Sequence, residues 1–372
     1  MNPFFIVVFL VYILTNSYIF YRGWQALPDI CSIKIIYTVV YLFISLSFFV
    51  AMGGKSILPL GVQKIFYWIG VVWLGVMLYI TLFFVFTDLI HLINHFFRFL
   101  PITGSSFHQI QVISGYALVA FILIVGNIKF THPEVIEEEI VVDKDGGKYS
   151  DLRVVAFSDM HIGLYVDKKN TKKYVDFINS LNPDVIIIAG DLIDNNIEPL
   201  LRERINEELD QLIAPLGIYF CPGNHEYISG IDASLNFIAK TKIQVLKDSV
   251  VRVGDSFWII GRDDRSVANR VSLKQLIEKT DSNQPLILLD HQPYNLSEAE
   301  INGVDLQFSG HTHNGQLWPL NLLVKKIYEV GSGYKKKGNT HYYVSSGLAL
   351  WGPPFRVGTR SEAVVFNLKF KD

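Results

Sequence analysis

The first 130 residues of this chain contain four apolar stretches, Pro3 to Phe20, Ile33 to Met52, Ile65 to Phe86 and Gln111 to Phe130. Each is near the length that crosses a bilayer, since a hydrocarbon core about 30 Å thick takes about 20 apolar residues of helix. Polar or Gly/Pro-containing connectors separate them at 22–32, 53–64 and 88–109. Tyr21, Trp24, Tyr67 and Trp68 flank the ends as interfacial aromatics do. The first stretch has neither a basic leader nor a small-residue cleavage site, so it reads as a retained helix.

Charge confirms the division. Up to residue 130 the basic residues are Arg22, Lys34, Lys55, Lys64, Arg98 and Lys129, and the acids are Asp29 and Asp88. Nearly all of the other charges follow, in a chain with 33 basic and 35 acidic residues. That balance gives no case for bulk nucleic-acid binding, and a nucleotide or nucleic-acid phosphodiesterase is the less favoured reading because the motifs lack a basic groove. The expected organisation is a four-helix transmembrane domain at 1–130, a linker with room for one strand at 131–150 and an α/β domain at 151–372. Four crossings put both ends of the bundle on one side. Lys55, Lys64 and Lys129 on that side match Arg22, Lys34 and Arg98 on the other, and Lys144, Lys148 and Arg153 tip the soluble part towards the cytoplasm. Cys31 and Cys221 lie in different halves and lack metal-type spacing, which fits a reducing compartment. Asp88, His91 and His95 share a helical face at the edge of the third stretch, where wet polar groups at a helix end are the favoured reading over a metal or proton site.

Beyond residue 150, short apolar runs alternate with helical patterns, which argues for an α/β layer structure. Strands are expected at 152–157, 184–189, 217–221, 286–289, 305–308, 342–345 and 363–368, with a strand-rich meander at 244–260. Helices are expected at 168–181 and 198–213. The fully apolar runs suit strands buried on both faces.

Polar residues fall at the ends of these runs. Asp159, Asp191, Asn224, His291 and His311 each follow a strand closely, and open α/β sheets bind ligands at the carboxyl ends of their strands. Asp159 and His161 are two apart, as are His311 and His313. In extended backbone such pairs point to one side, so each pair is expected to aim two ligands into one cavity. Gly163, Gly190, Gly223 and Gly310 flank the motifs and allow close backbone approach. Mixed imidazole and carboxylate ligands suit Mn, Fe or Zn better than Ca or Mg. Any one of these residues alone reads as a turn or cap; the ordered set of five does not.

Asp159-Met160-His161, Gly190-Asp191-Leu192-Ile193-Asp194, Gly223-Asn224-His225-Glu226, His291 and Gly310-His311-Thr312-His313 resemble the five signature blocks of the calcineurin-like metallophosphoesterase superfamily. The resemblance covers about residues 150–370. It implies a β-sandwich flanked by helices, with two divalent metal ions (manganese the preferred guess) at the strand ends. Asp159, His161, Asp191 and His313 would hold the first metal. Asp191, Asn224, His291 and His311 would hold the second, with Asp191 bridging. His225, oriented by Asp194, would act on the leaving-group side. Two metals can clamp the attacking and leaving oxygens of an in-line displacement.

The phosphoprotein phosphatase branch carries an Arg directly after the second-block Asp, where this chain has Asn195, and begins its first block with Gly, where this chain has Ser158. Ser158-Asp159-Met160-His161 and Trp351-Gly352-Pro353-Pro354-Phe355-Arg356 resemble the bacterial membrane-associated branch. That implies an inner-membrane protein acting on a phosphodiester, pyrophosphate or phosphomonoester, small-molecule or lipid-linked, with UDP-diacylglucosamine pyrophosphatase-like chemistry as a special case. No nucleic-acid partner is expected, and the oligomeric state is not legible. The alternative is a membrane sensor or transporter with a regulatory phosphoesterase-like domain that does not turn over; the full ligand set and the few ionisable groups in the helices count against it. Leu320 to Lys337 mixes apolar residues with five lysines and reads as a solvated loop, with a membrane-facing loop as the alternative.

Overall fold

A computed structural model describes residues 3–55, 57–99 and 106–371. The helices α1 (Pro3–Ala26), α2 (Cys31–Gly53), α3 (Leu60–Phe97) and α4 (Ser106–Thr131) carry the four expected spans. The third is longer than expected: α3 continues through Asp88, His91 and His95, which the sequence placed in a connector. Part of that connector falls outside the described residues.

The chain divides into two units. The first comprises residues 1–128 together with Gly352–Phe355. Its helices turn large apolar side chains outward, such as Leu14, Ile36 and Ile113, each more than 60% exposed. A helix satisfies its own backbone hydrogen bonds, so such a surface suits lipid. Inside, α2 and α3 meet closely at Gly70, where an added Cβ would lie 2.4 Å from the backbone nitrogen of Phe48. Small residues permit this approach between spanning helices. In the same unit, Asn127 Nδ2 donates to the Pro354 carbonyl at 2.9 Å, and the Phe355 ring packs at Gly75.

The second unit comprises residues 129–351 and 356–372. Its strands are β1 (Glu134–Asp145), β2 (Asp151–Phe157), β3 (Val185–Ala189), β4 (Ile218–Cys221), β5 (Ile243–Val245), β6 (Ser249–Val253), β7 (Phe257–Gly261), β8 (Leu286–Leu289), β9 (Leu306–Ser309), β10 (Gly333–Lys337), β11 (Thr340–Val344) and β12 (Glu362–Lys371). They form one 6-stranded sheet in the order β1-β12-β2-β3-β4-β5 and another in the order β10-β11-β9-β8-β7-β6. Helices α5 (Lys168–Ser180), α6 (Glu198–Glu203), α7 (Asn206–Leu209), α8 (Asn224–Ile228) and α9 (Ile231–Ile238) connect strands of the first sheet. Helices α10 (Leu273–Ile277), α11 (Ser297–Ile301) and α12 (Leu320–Ile327) belong to the second.

Three apolar clusters fix the layers. Val154, Ala156, Ile187 and Cys221 of one sheet meet Ile259, Leu289 and Phe308 of the other, which makes a sandwich interior. Val155, Ile186 and Phe220 pack on Tyr174, Leu200 and Phe237 of the helices outside the first sheet. Leu286, Leu288 and Tyr342 pack on Leu273, Leu276 and Ala299 outside the second. Each central strand therefore has apolar partners on both faces, and β3 is buried at every position.

The segment 131–150, read as a linker with room for one strand, contains that strand: Glu134–Asp145 forms β1, paired in parallel with β12. Two expectations change. The helix expected over 198–213 breaks into α6 and α7 at Arg204, whose φ of 53° is left-handed. The loop expected from Leu320 begins as a helix, α12. Cys31 and Cys221 are both free, as expected.

Candidate metal centre

Strands β2, β3, β4, β8 and β9 end at Phe157, Ala189, Cys221, Leu289 and Ser309, and the five polar motifs follow at once. All nine residues singled out in the sequence lie in this one region. Asp159, His161, His291 and Asp191 are at most 2% exposed.

The local geometry differs from the expected extended pairs. Asp159, His161, Asp191, His311 and His313 all have positive φ, between 45° and 72°. The chain leaves each strand before the motif, and left-handed turns, not pleated strands, bring the side chains together. Such backbone costs of order 1–3 kcal/mol per residue and clusters at functional sites. Neighbouring groups hold it. His161 N donates to the Asp191 carbonyl at 3.0 Å, and Asp159 N to the Gly190 carbonyl at 3.1 Å. His311 N donates to the Asp159 carboxylate at 3.1 Å, and His225 N to Asp191 Oδ1 at 2.8 Å. At Gly223 an added Cβ would lie 2.3 Å from Asp191 Oδ1, so only glycine fits.

Two donor sets emerge. Asp159, His161 and His313 bring ligand atoms within 4.8 Å of one another, and so do Asp191, His291 and His311. His161 Nε2 and His313 Nε2 face each other at 3.1 Å. Asp191 Oδ2 lies between the sets, 3.1 Å from His291 Nε2 and 3.9 Å from His161 Nε2. Asn224 Oδ1 joins the second set 2.9 Å from His311 Nδ1. The Ala189 carbonyl, 2.8 Å from His291 Nδ1, turns that ring's Nε2 inward. His161, Asp191 and His225 make a third convergent group.

The site demands positive charge. Among the described residues no Lys or Arg forms an ion pair with Asp159 or Asp191. Burial raises the Asp159 carboxyl, partly offset by His291. Burial also opposes ionisation of Asp191, yet His291 beside it holds that carboxyl well below its usual range. Burial disfavours charge on His291, and Asp191 nevertheless pushes its pKa up to about 10. Burial, then His225, pulls His161 well down. His161 is thus held neutral and Asp191 ionised, as divalent cations require of their ligands, while His291 would give up its proton to a cation that took its place beside Asp191. His291 Nε2, buried and turned towards Asp191, has no hydrogen-bond partner, a rare condition for a buried polar atom. The residues present therefore fit a pair of cations.

His225 and Asp194 sit at the edge, with His225 Nδ1 3.3 Å from Asp194 Oδ1. Burial lowers the His225 pKa, but Asp194 more than restores it, so the net shift is upward. Trp351 stands beside it, its ring 6.2 Å from that of His225.

Two further residues were given no role from the sequence. Glu226 is fully buried and accepts from the backbone nitrogens of Asp191, Ile193 and Gly223 at 3.0, 2.9 and 2.7 Å. It ties the second block to the third. The signal was available, since a Glu three residues after a helix cap position turns back to that cap. Arg356 is also fully buried. It donates to the His313 carbonyl at 3.0 Å and to the Ser346 carbonyl at 2.6 Å, under the last block. Nothing local in the sequence announces that contact, which spans 43 positions.

Comparisons with known proteins identify the family. Residues 152–315 match the family model of the calcineurin-like phosphoesterases. An uncharacterized metallophosphoesterase of Helicobacter pylori (strain J99) is 35% identical over 242 residues, 63% of this chain and 64% of its own. A zebrafish (Danio rerio) transmembrane protein with metallophosphoesterase domain is 30% identical over 285 residues, 72% of this chain and 64% of its own. An uncharacterized metallophosphoesterase of Aquifex aeolicus is 31% identical over 231 residues, 60% of this chain and 87% of its own. The chain thus spans 64% of the length of the Helicobacter and zebrafish relatives, and its similarity extends to vertebrates as well as bacteria. Five ordered motifs, two convergent donor sets and these matches lead to one statement: the chain belongs to the calcineurin-like metallophosphoesterases.

Proposed function

We propose that this protein is a membrane-anchored hydrolase of phosphate esters that works with two divalent metal ions. The observation that carries the reading is Asp191 Oδ2, set between the Asp159/His161/His313 group and the His291/His311 group. Asp159, His161, Asp191 and His313 would hold one ion. Asp191, Asn224, His291 and His311 would hold the other. Bound there, the ions supply Lewis-acid activation of water and neutralise charge on the phosphoryl oxygens. Manganese is our preferred ion.

The chain's own residues do the rest. His225 is charged more readily than an ordinary histidine because Asp194 faces its Nδ1. It can therefore carry a proton at neutral pH and give it to the departing oxygen. Glu226 and Arg356 keep the second and last blocks in place, so the donors need not reorganise during reaction. Asn195, after Asp194, leaves no arginine at the position that the protein phosphatases use. This favours diesters, pyrophosphates or small monoesters over phosphoproteins. The four spans favour a substrate carried by the bilayer, and the basic residues after Lys129 favour a cytoplasmic catalytic unit on a bacterial inner membrane.

The test is Mn²⁺-dependent hydrolysis of bis-p-nitrophenyl phosphate by detergent-solubilised protein. Asp191→Ala is expected to reduce turnover to background and to lower bound metal, read by elemental analysis. Full turnover in Asp191→Ala, or no turnover on a broad panel of phosphate esters with metal verified as bound, would sink the enzymatic reading. Faster turnover of a lipid-linked pyrophosphate than of the simple diester would fix the substrate class.

A further inference from the structure

Helix α12 begins seven residues after His313 and buries none of its side chains. Leu320, Leu323 and Ile327 recur at helical spacing and are 40%, 56% and 62% exposed. Trp318 just before the helix and Leu322 within it are 50% and 56% exposed. The same eight residues carry Lys325 and Lys326, both exposed, and neither makes an ion pair with another described residue. Lys336 follows, also exposed. Water is a poor solvent for such a stripe, and no other described element of the second unit covers it.

The helix is nonetheless held firmly. An added Cβ at Gly315 would lie 2.5 Å from the Asn321 backbone nitrogen, and one at Gly331 would lie 2.8 Å from the Val324 side chain. Leu320 N donates to the Leu317 carbonyl at 2.8 Å, and Trp318 N to the Val357 carbonyl at 2.8 Å. The exposed apolar face is therefore a fixed feature of the fold. A short amphipathic helix with an apolar stripe, a tryptophan and flanking lysines is the form that lies in a membrane interface. Lysines there are drawn to anionic headgroups. A bilayer is always at hand, because the same chain crosses one.

We infer that α12 is an interfacial helix, seated with Trp318, Leu320, Leu323 and Ile327 in the acyl boundary of an anionic leaflet and Lys325 and Lys326 among its headgroups. Through Gly315 it keeps the His311–His313 rim of the metal centre beside that leaflet, where a headgroup phosphate is the nearest ester.

A position measurement tests this independently of turnover. Full-length protein is prepared in a Cys31→Ser background, Cys221 being buried, and a nitroxide is placed at Leu323→Cys. The protein is reconstituted in phosphatidylcholine vesicles with or without phosphatidylglycerol. Oxygen and Ni(II) chelate accessibilities are then read by electron paramagnetic resonance. With phosphatidylglycerol present, the label is expected roughly 5–10 Å below the phosphates, shallower without it, and shallower again in Lys325→Glu/Lys326→Glu. Chelate accessibility equal to that of a label at the exposed Lys240→Cys would overturn the inference. So would spin–spin broadening that disappears on dilution with unlabelled protein, which would mean that a second copy covers the stripe.

Discussion

Both units of this protein bury polar groups, and they treat them in opposite ways. In the helical unit most of the groups close on one another, although Tyr79 Oη and Gln111 Oε1 are left without a partner. Asn16 Oδ1 accepts from Trp73 Nε1 at 2.9 Å and from the Tyr41 hydroxyl at 3.1 Å, while its Nδ2 donates to the Tyr12 carbonyl. Asp88 accepts from the Tyr18 hydroxyl at 2.5 Å and from Gln111 Nε2 at 3.3 Å, and pairs with Arg22. In the metal centre, imidazole nitrogens instead face carboxylates and one another, and His291 Nε2 lacks a hydrogen-bond partner. The closed pattern is what joins helices in lipid, where an unsatisfied group has no water to turn to. The open pattern leaves coordination capacity for a cation. Asp88 itself is engaged by Arg22 and serves the bundle.

The contrast can be broken by experiment. The largest expected effect is at His225. His225→Ala should lose about 10²–10⁴-fold in kcat on an ester with an alkyl leaving group, and less on a p-nitrophenyl ester, whose phenolate departs without a proton. Equal losses on both would remove His225 from the leaving-group side. Metal removal comes next. At a hundredfold excess of metal over Kd, bound ions stabilise by about 2.7 kcal/mol per site. Chelation should therefore lower the unfolding temperature of the catalytic unit, read by circular dichroism, while helix signal from the bundle persists. An unchanged transition would mean that the open pattern holds no ion. Asp194→Asn should cost about 10–100-fold in activity, as loss of an orienting carboxylate does; an unaltered pH profile in that variant would contradict the Asp194–His225 pairing. The smallest effect belongs to the closed pattern. Asn16→Ala should destabilise the bundle by about 1–2 kcal/mol, seen as a lower midpoint in detergent titration, with diester turnover unchanged. A fall in turnover there would show that the two regions are not as separate in function as in chemistry.

Much of this was legible in the chain itself because it depends on local pattern. Four apolar runs of spanning length specify four membrane helices whatever follows them. Val185 to Ala189 is continuously apolar, so it had to be a strand covered on both sides. Asp159, Asp191, Asn224, His291 and His311 each closely follow such a strand, which places them at one rim by order alone.

Other features have no local signature. The acidic strand β1 exists because β12, more than 200 positions later, offers it a ladder. Only its Ile140 and Val142 are buried, so the sequence left room for a strand there without fixing its bounds or its partner. Arg204 ends α6 in a left-handed turn that its charged, helix-favouring surroundings do not announce. The positive φ of Asp159, His161, Asp191, His311 and His313 replaces the extended pairs expected from spacing, and it survives because distant backbone and carboxylate groups hold it. The membership of the metal centre was thus written in order and residue type, which sequence carries. Its geometry, the sharing of Asp191 and the exposure of α12 arose only when segments far apart in the chain packed together and fixed which donors face inward and which apolar side chains remain outside.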